Sequence, residues 1–160
     1  RSGASPNRPR QSISGWMSPS CKRSKTIEPE TSPKIIQTAN WILRDGGNIL
    51  SVRSHGRDRF YLPGGKIDPG ETATQGLIRE IHEELGVALI EKSIRPLGIF
   101  SGHGHNLPGG VIVRMQCFTA QYNGTLAPSR EIAEMRWLSQ RNRHLMAPMG
   151  QKITAALFDI

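Results

Sequence analysis

Apolar and polar positions fall into two regimes along this chain. Residues 1–33 show no apolar periodicity, whereas short apolar runs recur from Lys34 onward. Ile35, Ile36, Ala39, Trp41, Ile42 and Leu43 predict a buried strand. Arg44-Asp45-Gly46-Gly47-Asn48 is turn chemistry, so residues 49–53 predict the returning strand of a hairpin. Phe60-Tyr61-Leu62 predicts a short strand running into Pro63. Residues 94–100, 111–122 and 134–138 predict three more strands. Between the first two of these, residues 101–110 read as a flexible loop carrying His103 and His105. Asn123-Gly124 is a tight-turn dipeptide. Pro148 suits the first turn of a last helix over about 149–158, with Ile153, Ala156 and Leu157 on its apolar face.

One segment has a clear helical period. Ala73, Leu77, Ile81 and Leu85 recur every four residues, with Ile78 alongside. Thr72 can cap this helix, and Gly86 suits the left-handed position that ends it. Short strands interleaved with two helices predict one α/β (α+β) domain over residues 34–160, with a mixed sheet whose faces the helices cover.

Composition changes that picture mainly at the N-terminus. The chain has 160 residues, 36% of them hydrophobic, with a mean hydropathy of −0.41. That length suits one domain with a proper core, and the polarity suggests that part of the chain stays outside it. The net charge is +8. Residues 1–34 carry seven basic and two acidic side chains, and the other 126 residues carry 14 and 11. Most of the excess therefore belongs to a Ser-, Pro- and Arg-rich segment, which composition predicts to be a disordered basic tail over residues 1–33. Residues 1–27 lack acid and hold seven serines, as organellar leaders do, but Pro6, Pro9 and Pro19 interrupt an amphipathic helix there. Only Trp16 interleaves the tail's charges with an aromatic ring, so nucleic acid is not the expected partner. No run of about 18 apolar residues predicts a membrane span. Cys21 and Cys117 have no metal-ligand spacing; Cys117 reads as a small buried hydrophobe, and the pattern fits a reduced, cytoplasmic protein.

The candidate chemistry lies on the predicted helix. At about 100° per residue, Glu80 and Glu84 project beside one edge of the apolar stripe, with Glu83 further round the same side. Gly76 falls on that side too and is expected to leave the backbone uncovered. Three carboxylates at i, i+3 and i+4 repel one another on a bare helix, and a divalent cation turns that cost into binding. Mg²⁺ and Mn²⁺ favour carboxylate, carbonyl and water oxygens. Arg79 and Glu71 can brace the glutamates through charge-assisted hydrogen bonds.

The spacing is specific. Gly65, five residues, Glu71, seven residues, Arg79-Glu80-Ile81, one residue, Glu83-Glu84, one residue, Gly86-Val87 matches the Nudix box without a mismatch, and Pro63-Gly64 before it is typical too. Residues 35–160 thus resemble the Nudix (MutT-like) hydrolases. That resemblance implies an α/β/α sandwich with a mixed central sheet. It implies Mg²⁺- or Mn²⁺-dependent cleavage of a diphosphate linkage in a nucleotide or nucleoside diphosphate derivative, with a nucleoside monophosphate released. Matched by position, it makes Glu80, Glu83 and Glu84 metal ligands together with the Gly65 backbone. The base is the residue at the Glu80 or Glu84 position or a glutamate outside the box; here Glu131, six residues before Trp137, is the candidate and Glu134 its competitor. Homodimers are common in the family.

Substrate marks are weaker. Arg53 and Arg59 precede the box, where basic side chains can fork onto phosphate. Tyr61 can stack a base. Arg114 faces solvent or the cleft, and Met149 occupies the place where the 8-oxo-dGTP-cleaving type carries an asparagine. Rival readings are a non-catalytic nucleotide-sensing module and an RNA-acting Nudix enzyme that uses the basic tail.

Overall fold

The computed structural model describes residues 33–158. Residues 1–32, which are all of the predicted tail but Pro33 and include Cys21, and the last two residues lie outside the described residues. The strands are β1 (Lys34–Trp41), β2 (Arg44–Asp45), β3 (Asn48–Ser54), β4 (Gly64–Lys66), β5 (Ala88–Leu89), β6 (Arg95–His103), β7 (Val111–Thr119), β8 (Tyr122–Asn123) and β9 (Ile132–Ser139). The helices are α1 (Ala73–Leu85) and α2 (Pro148–Phe158). One sheet has the order β4-β1-β7-β6, in which β1 and β7 run parallel and the other pairs antiparallel. A second, antiparallel sheet has the order β2-β3-β9. Strands β5 and β8 form a two-stranded ribbon. Among the described residues no helix is long and apolar enough to cross a membrane.

Side-chain alternation sends the strand residues to two cores. Ala39 and Trp41 of β1, Leu50 and Val52 of β3 and Phe118 of β7 meet Leu77, Ile81 and Leu85 of α1. Ile42, Ile49, Cys117 and Leu138 turn the other way, onto Met149 and Ile153 of α2. The sheets therefore lie between the two helices, as the α/β/α expectation required. Leu77, Ile81 and Leu85 are fully buried, and each stabilises the fold by roughly 1.5–3 kcal/mol.

Helix α1 starts and stops as its sequence dictates. The Thr72 hydroxyl accepts from Gln75 N–H, and the Gln75 side chain accepts from Thr72 N–H, closing a capping box. Gly86 ends the helix at φ +71°. Thr72→Ala is expected to cost about 1 kcal/mol. A urea titration checks this: the midpoint should fall with the slope unchanged.

Several expectations are corrected. The segment after the first turn does not pair with β1: the hairpin is confined to β2 and β3, and β3 joins β9 in the second sheet. Residues 60–62 form only isolated bridges, Val52 with Tyr61 and Phe60 with Met146. Strand β6 runs on to His103, which shortens the loop expected over 101–110. Asn123-Gly124 closes no hairpin, because β8 pairs with β5 instead of returning along β7. Ala156 is exposed, and the buried face of α2 is Met149, Gly150, Ile153 and Thr154. Gly76 is buried beneath the loop that follows β4: a Cβ there would lie 2.9 Å from the Glu71 carboxylate and 3.6 Å from Ile67 Cα.

Candidate active site

The site begins where α1 faces the short strand β4. Gly64 takes φ +130°, and a Cβ there would run into the Ala39 carbonyl. A Cβ on Gly65 would lie within 2.7 Å of the Glu80 carboxylate oxygens. Two glycines thus let β4 slide between β1 and the acidic edge of the helix. The Gly64 N–H then donates to Glu84 Oε2 at 3.0 Å.

Arg79 organises the loop before the helix. Its Nη2 donates to Glu71 Oε1 at 2.7 Å and to the Lys66 carbonyl at 3.1 Å, and its Nε donates to Glu71 Oε2 at 3.2 Å. Its Nη1 reaches Glu80 Oε1 at 3.0 Å and lies 3.6 Å from Glu83. The Arg79 guanidinium, helped by the Asp68 N–H, holds the Glu71 carboxyl below the usual range. Arg79→Ala unties both Glu71 and Glu80. It should reduce hydrolysis and cation affinity roughly 10–100-fold, the usual cost of losing a group that orients ligands. Steady-state kinetics over a Mg²⁺ titration will check this, and an unchanged Mg²⁺ dependence would refute the bracing role.

Glu131 arrives from the other side of the chain. Ala127 N–H and Ser129 N–H donate to the carbonyls of Leu85 and Glu84, which ties this segment to the end of α1. Arg130 adopts a left-handed conformation at φ +53°, and Glu131 follows it. Oxygens of Glu80, Glu84 and Glu131 come within 4.8 Å of one another. Glu83 stands outside this trio, 3.6 Å from Arg79 and 3.9 Å from Arg130. Among the described residues the Glu131 carboxylate has no hydrogen bond or ion pair, whereas Glu80 and Glu84 are both held.

Charge crowding shows in the acidities. Glu84 is only 6% exposed. Burial pushes its carboxyl up to about 8; the Gly64 N–H opposes this, while Glu80, Glu131 and Glu83 add to it. Burial also raises Glu80, against the pull of Arg79. This all-oxygen donor set, with negative charge left uncompensated, fits a hard divalent cation.

A cavity of about 400 Å³ opens beside the trio. Gly64, Gly65 and Glu84 line it, as do Val113, Met115 and Met149. Tyr61 and His105 line it too, with ring centroids 6.1 Å apart and planes tilted by 54°. Tyr61 and Met149 are thus on the wall, with Met149 also packed in the α2 core. Arg53, Arg59 and Arg114 are not. Arg53 pairs with Glu134 at 3.1 Å on the face of β3 opposite Val52 and Ser54, which do line the cavity. Arg59 donates to the His144 carbonyl, and Arg114 to Gln37. Strand alternation turns Arg114 away from the side shared by Val113 and Met115. Glu134, held low by Arg53 and then Arg136, belongs to that outer cluster. The sequence reading passed over Thr38 and Asn40, both buried in the cavity wall. Two polar residues at i and i+2, flanking Ala39 in the buried end of β1, were the signal.

The model of the NUDIX domain matches residues 34–155. This chain belongs to the Nudix family. Over 66 residues it is 41% identical to the 8-oxo-dGTP diphosphatase of Haemophilus influenzae, covering 38% of this chain and 48% of that protein. Over 51 residues it is 41% identical to the RNA pyrophosphohydrolase of Serratia proteamaculans, covering 32% and 28%. The matches span less than half the length of either relative. The solution structure of the Escherichia coli ORF135 protein superposes with a TM-score of 0.65 at 24% identity, covering 82% of this chain and 94% of that one. The MutT Nudix hydrolase of Burkholderia pseudomallei gives 0.63 at 21%, covering 78% and 98%. These structural likenesses establish the Nudix fold.

Proposed function

We propose that this Nudix domain hydrolyses a diphosphate linkage in a nucleotide or nucleotide-like small molecule, with Mg²⁺ or Mn²⁺ as cofactor, and releases a nucleoside monophosphate. The observation that carries the reading is the carboxylate trio of Glu80, Glu84 and Glu131 beside a cavity of nucleotide size. Glu80 and Glu84 would hold the cation, with Glu83 and the Gly65 carbonyl completing its oxygen set. When bound, such a cation neutralises diphosphate charge and lowers the pKa of an attacking water. Arg79 keeps Glu80 oriented, and the Gly64 N–H keeps Glu84 oriented. Glu131 is exposed and, among the described residues, has no competing partner, which supports it as the group that takes the water's proton. Tyr61 and His105 offer aromatic surface to a base, and Met149 offers an apolar one.

The test is a panel of dNTPs, oxidised dNTPs, ADP-ribose, dinucleoside polyphosphates, nucleotide sugars and 5′-triphosphorylated RNA, with products identified. The RNA is included because a relative named for RNA pyrophosphohydrolysis matches part of the chain. Release of a nucleoside monophosphate or of phosphate from one class supports the proposal. A folded protein that turns over none of them with either metal overturns it.

A further inference from the structure

We infer that Thr38 and Asn40 read the edge of the substrate's base, and that they favour an edge with two adjacent N–H donors, as guanine presents. The inference rests on the nucleotide reading above and assigns part of its specificity. Both residues point to the same side of β1, being two positions apart. They are 8% and 4% exposed and line the cavity that also holds Gly64, Gly65 and Glu84. Their neighbours on β7 in that wall, Val113 and Met115, are apolar.

The hydrogen-bond inventory gives the pair its chemical sense. The Thr38 hydroxyl donates to Asn40 Oδ1 at 2.7 Å. The Asn40 amide donates to the carbonyls of Leu62 at 3.2 Å and Pro63 at 3.4 Å. The side-chain donors are therefore occupied within the protein. What remains free among the described residues is acceptor capacity, on Thr38 Oγ1 and on the second lone pair of Asn40 Oδ1. Two acceptor oxygens 2.7 Å apart can receive side-by-side N–H groups from one planar ring. Guanine offers a ring N–H beside an amino group. Adenine places a ring acceptor beside its amino group, which would face an acceptor here. A buried acceptor left without a donor is costly, so such a site rejects the mismatched edge. Anchoring the chain before Gly64 uses the Asn40 amide, and the Thr38 hydroxyl steadies that amide through Asn40 Oδ1, but neither bond uses the remaining acceptor lone pairs.

The experiment measures equilibrium binding of GMP, IMP and AMP to the full chain by calorimetry, for wild type, Thr38→Val and Thr38→Ser. GMP should bind tightest, IMP less tightly for want of the amino group, and AMP weakest. Thr38→Val should weaken GMP binding about tenfold and so erase most of the advantage over AMP, while Thr38→Ser should restore it. Equal affinities for GMP and AMP, failure to bind any of the three, or a Thr38→Val protein that discriminates like wild type would each overturn the inference. Because binding needs no turnover, the result stands apart from the hydrolysis panel. An inactive protein that still ranks GMP over AMP would sink the proposed reaction and retain the reader pair.

Discussion

Glu84→Gln should lower hydrolysis by about a thousandfold or more and at the same time raise the melting temperature of the metal-free protein at pH 8 and above. The first effect follows from the removal of a charged oxygen donor from the carboxylate trio, where loss of transition-state charge stabilisation is worth several kcal/mol. The second follows from linkage. Burial lifts the Glu84 carboxyl from 4.5 to about 8. Between those values the folded state binds the proton and the unfolded state does not. Stability contributed by the protonated carboxyl is therefore fully present below about 4.5 and is lost as pH rises through about 8. The loss is at most about 4–5 kcal/mol, at roughly 1.4 kcal/mol per unit. Glutamine has no proton to lose and should keep the acid-side stability throughout. Melting curves from pH 5 to 9 in EDTA should slope down for wild type and less steeply for the variant, in which the raised Glu80 still contributes in the same sense. Lowered Glu71 and Glu134 act in the opposite sense, but only as pH falls below about 4.5. Mg²⁺ should raise the wild-type midpoint by mass action, about 2.7 kcal/mol at a hundred times Kd, and should do little for Glu84→Gln. Parallel pH slopes in the two proteins would refute the burial account of Glu84.

Gly64→Ala is expected to carry the largest stability cost of any single methyl added near the site, at least about 3 kcal/mol. Two costs combine. At φ +130° an L-residue is strained whatever the space around it. The new Cβ would also meet the Ala39 carbonyl and lie 2.8 Å from Asn40 Cα, both backbone atoms of a central strand that cannot swing aside. Gly70→Ala separates the terms, because Gly70 also has a positive φ, +84°, but nothing within 4 Å of its would-be Cβ. That control should lose only about 1–2 kcal/mol. Chemical denaturation of both variants measures the difference. Equal losses would mean that the approach of β4 to β1 contributes nothing. Relief of the clash by a shift of β4 would move the Gly64 N–H off Glu84, so activity should fall with stability.

By itself, the sequence determined the helix and its chemistry, because those signals are local. Thr72, the stripe at Leu77, Ile81 and Leu85, and Gly86 specify α1 within a single turn's reach of each residue, and the structure follows them. The glutamates inherit their common edge from the helical period. The family was legible for the same reason, since its spacing lies within one loop and one helix. Pairing partners were not legible. Hydrophobic alternation marks β1 and β3 as strands equally well whether they pair with each other or, as they do, join different sheets. Asn123-Gly124 is a good turn that tertiary pairing with β5 overrides. The wall of the cavity was decided by the same long-range choices. Which face of β3 and β7 looks inward determines that Val52 and Met115 line it while Arg53 and Arg114 do not. Only the packed chain brings Glu131 to Glu80 and Glu84, and only burial there lifts Glu84 toward neutrality.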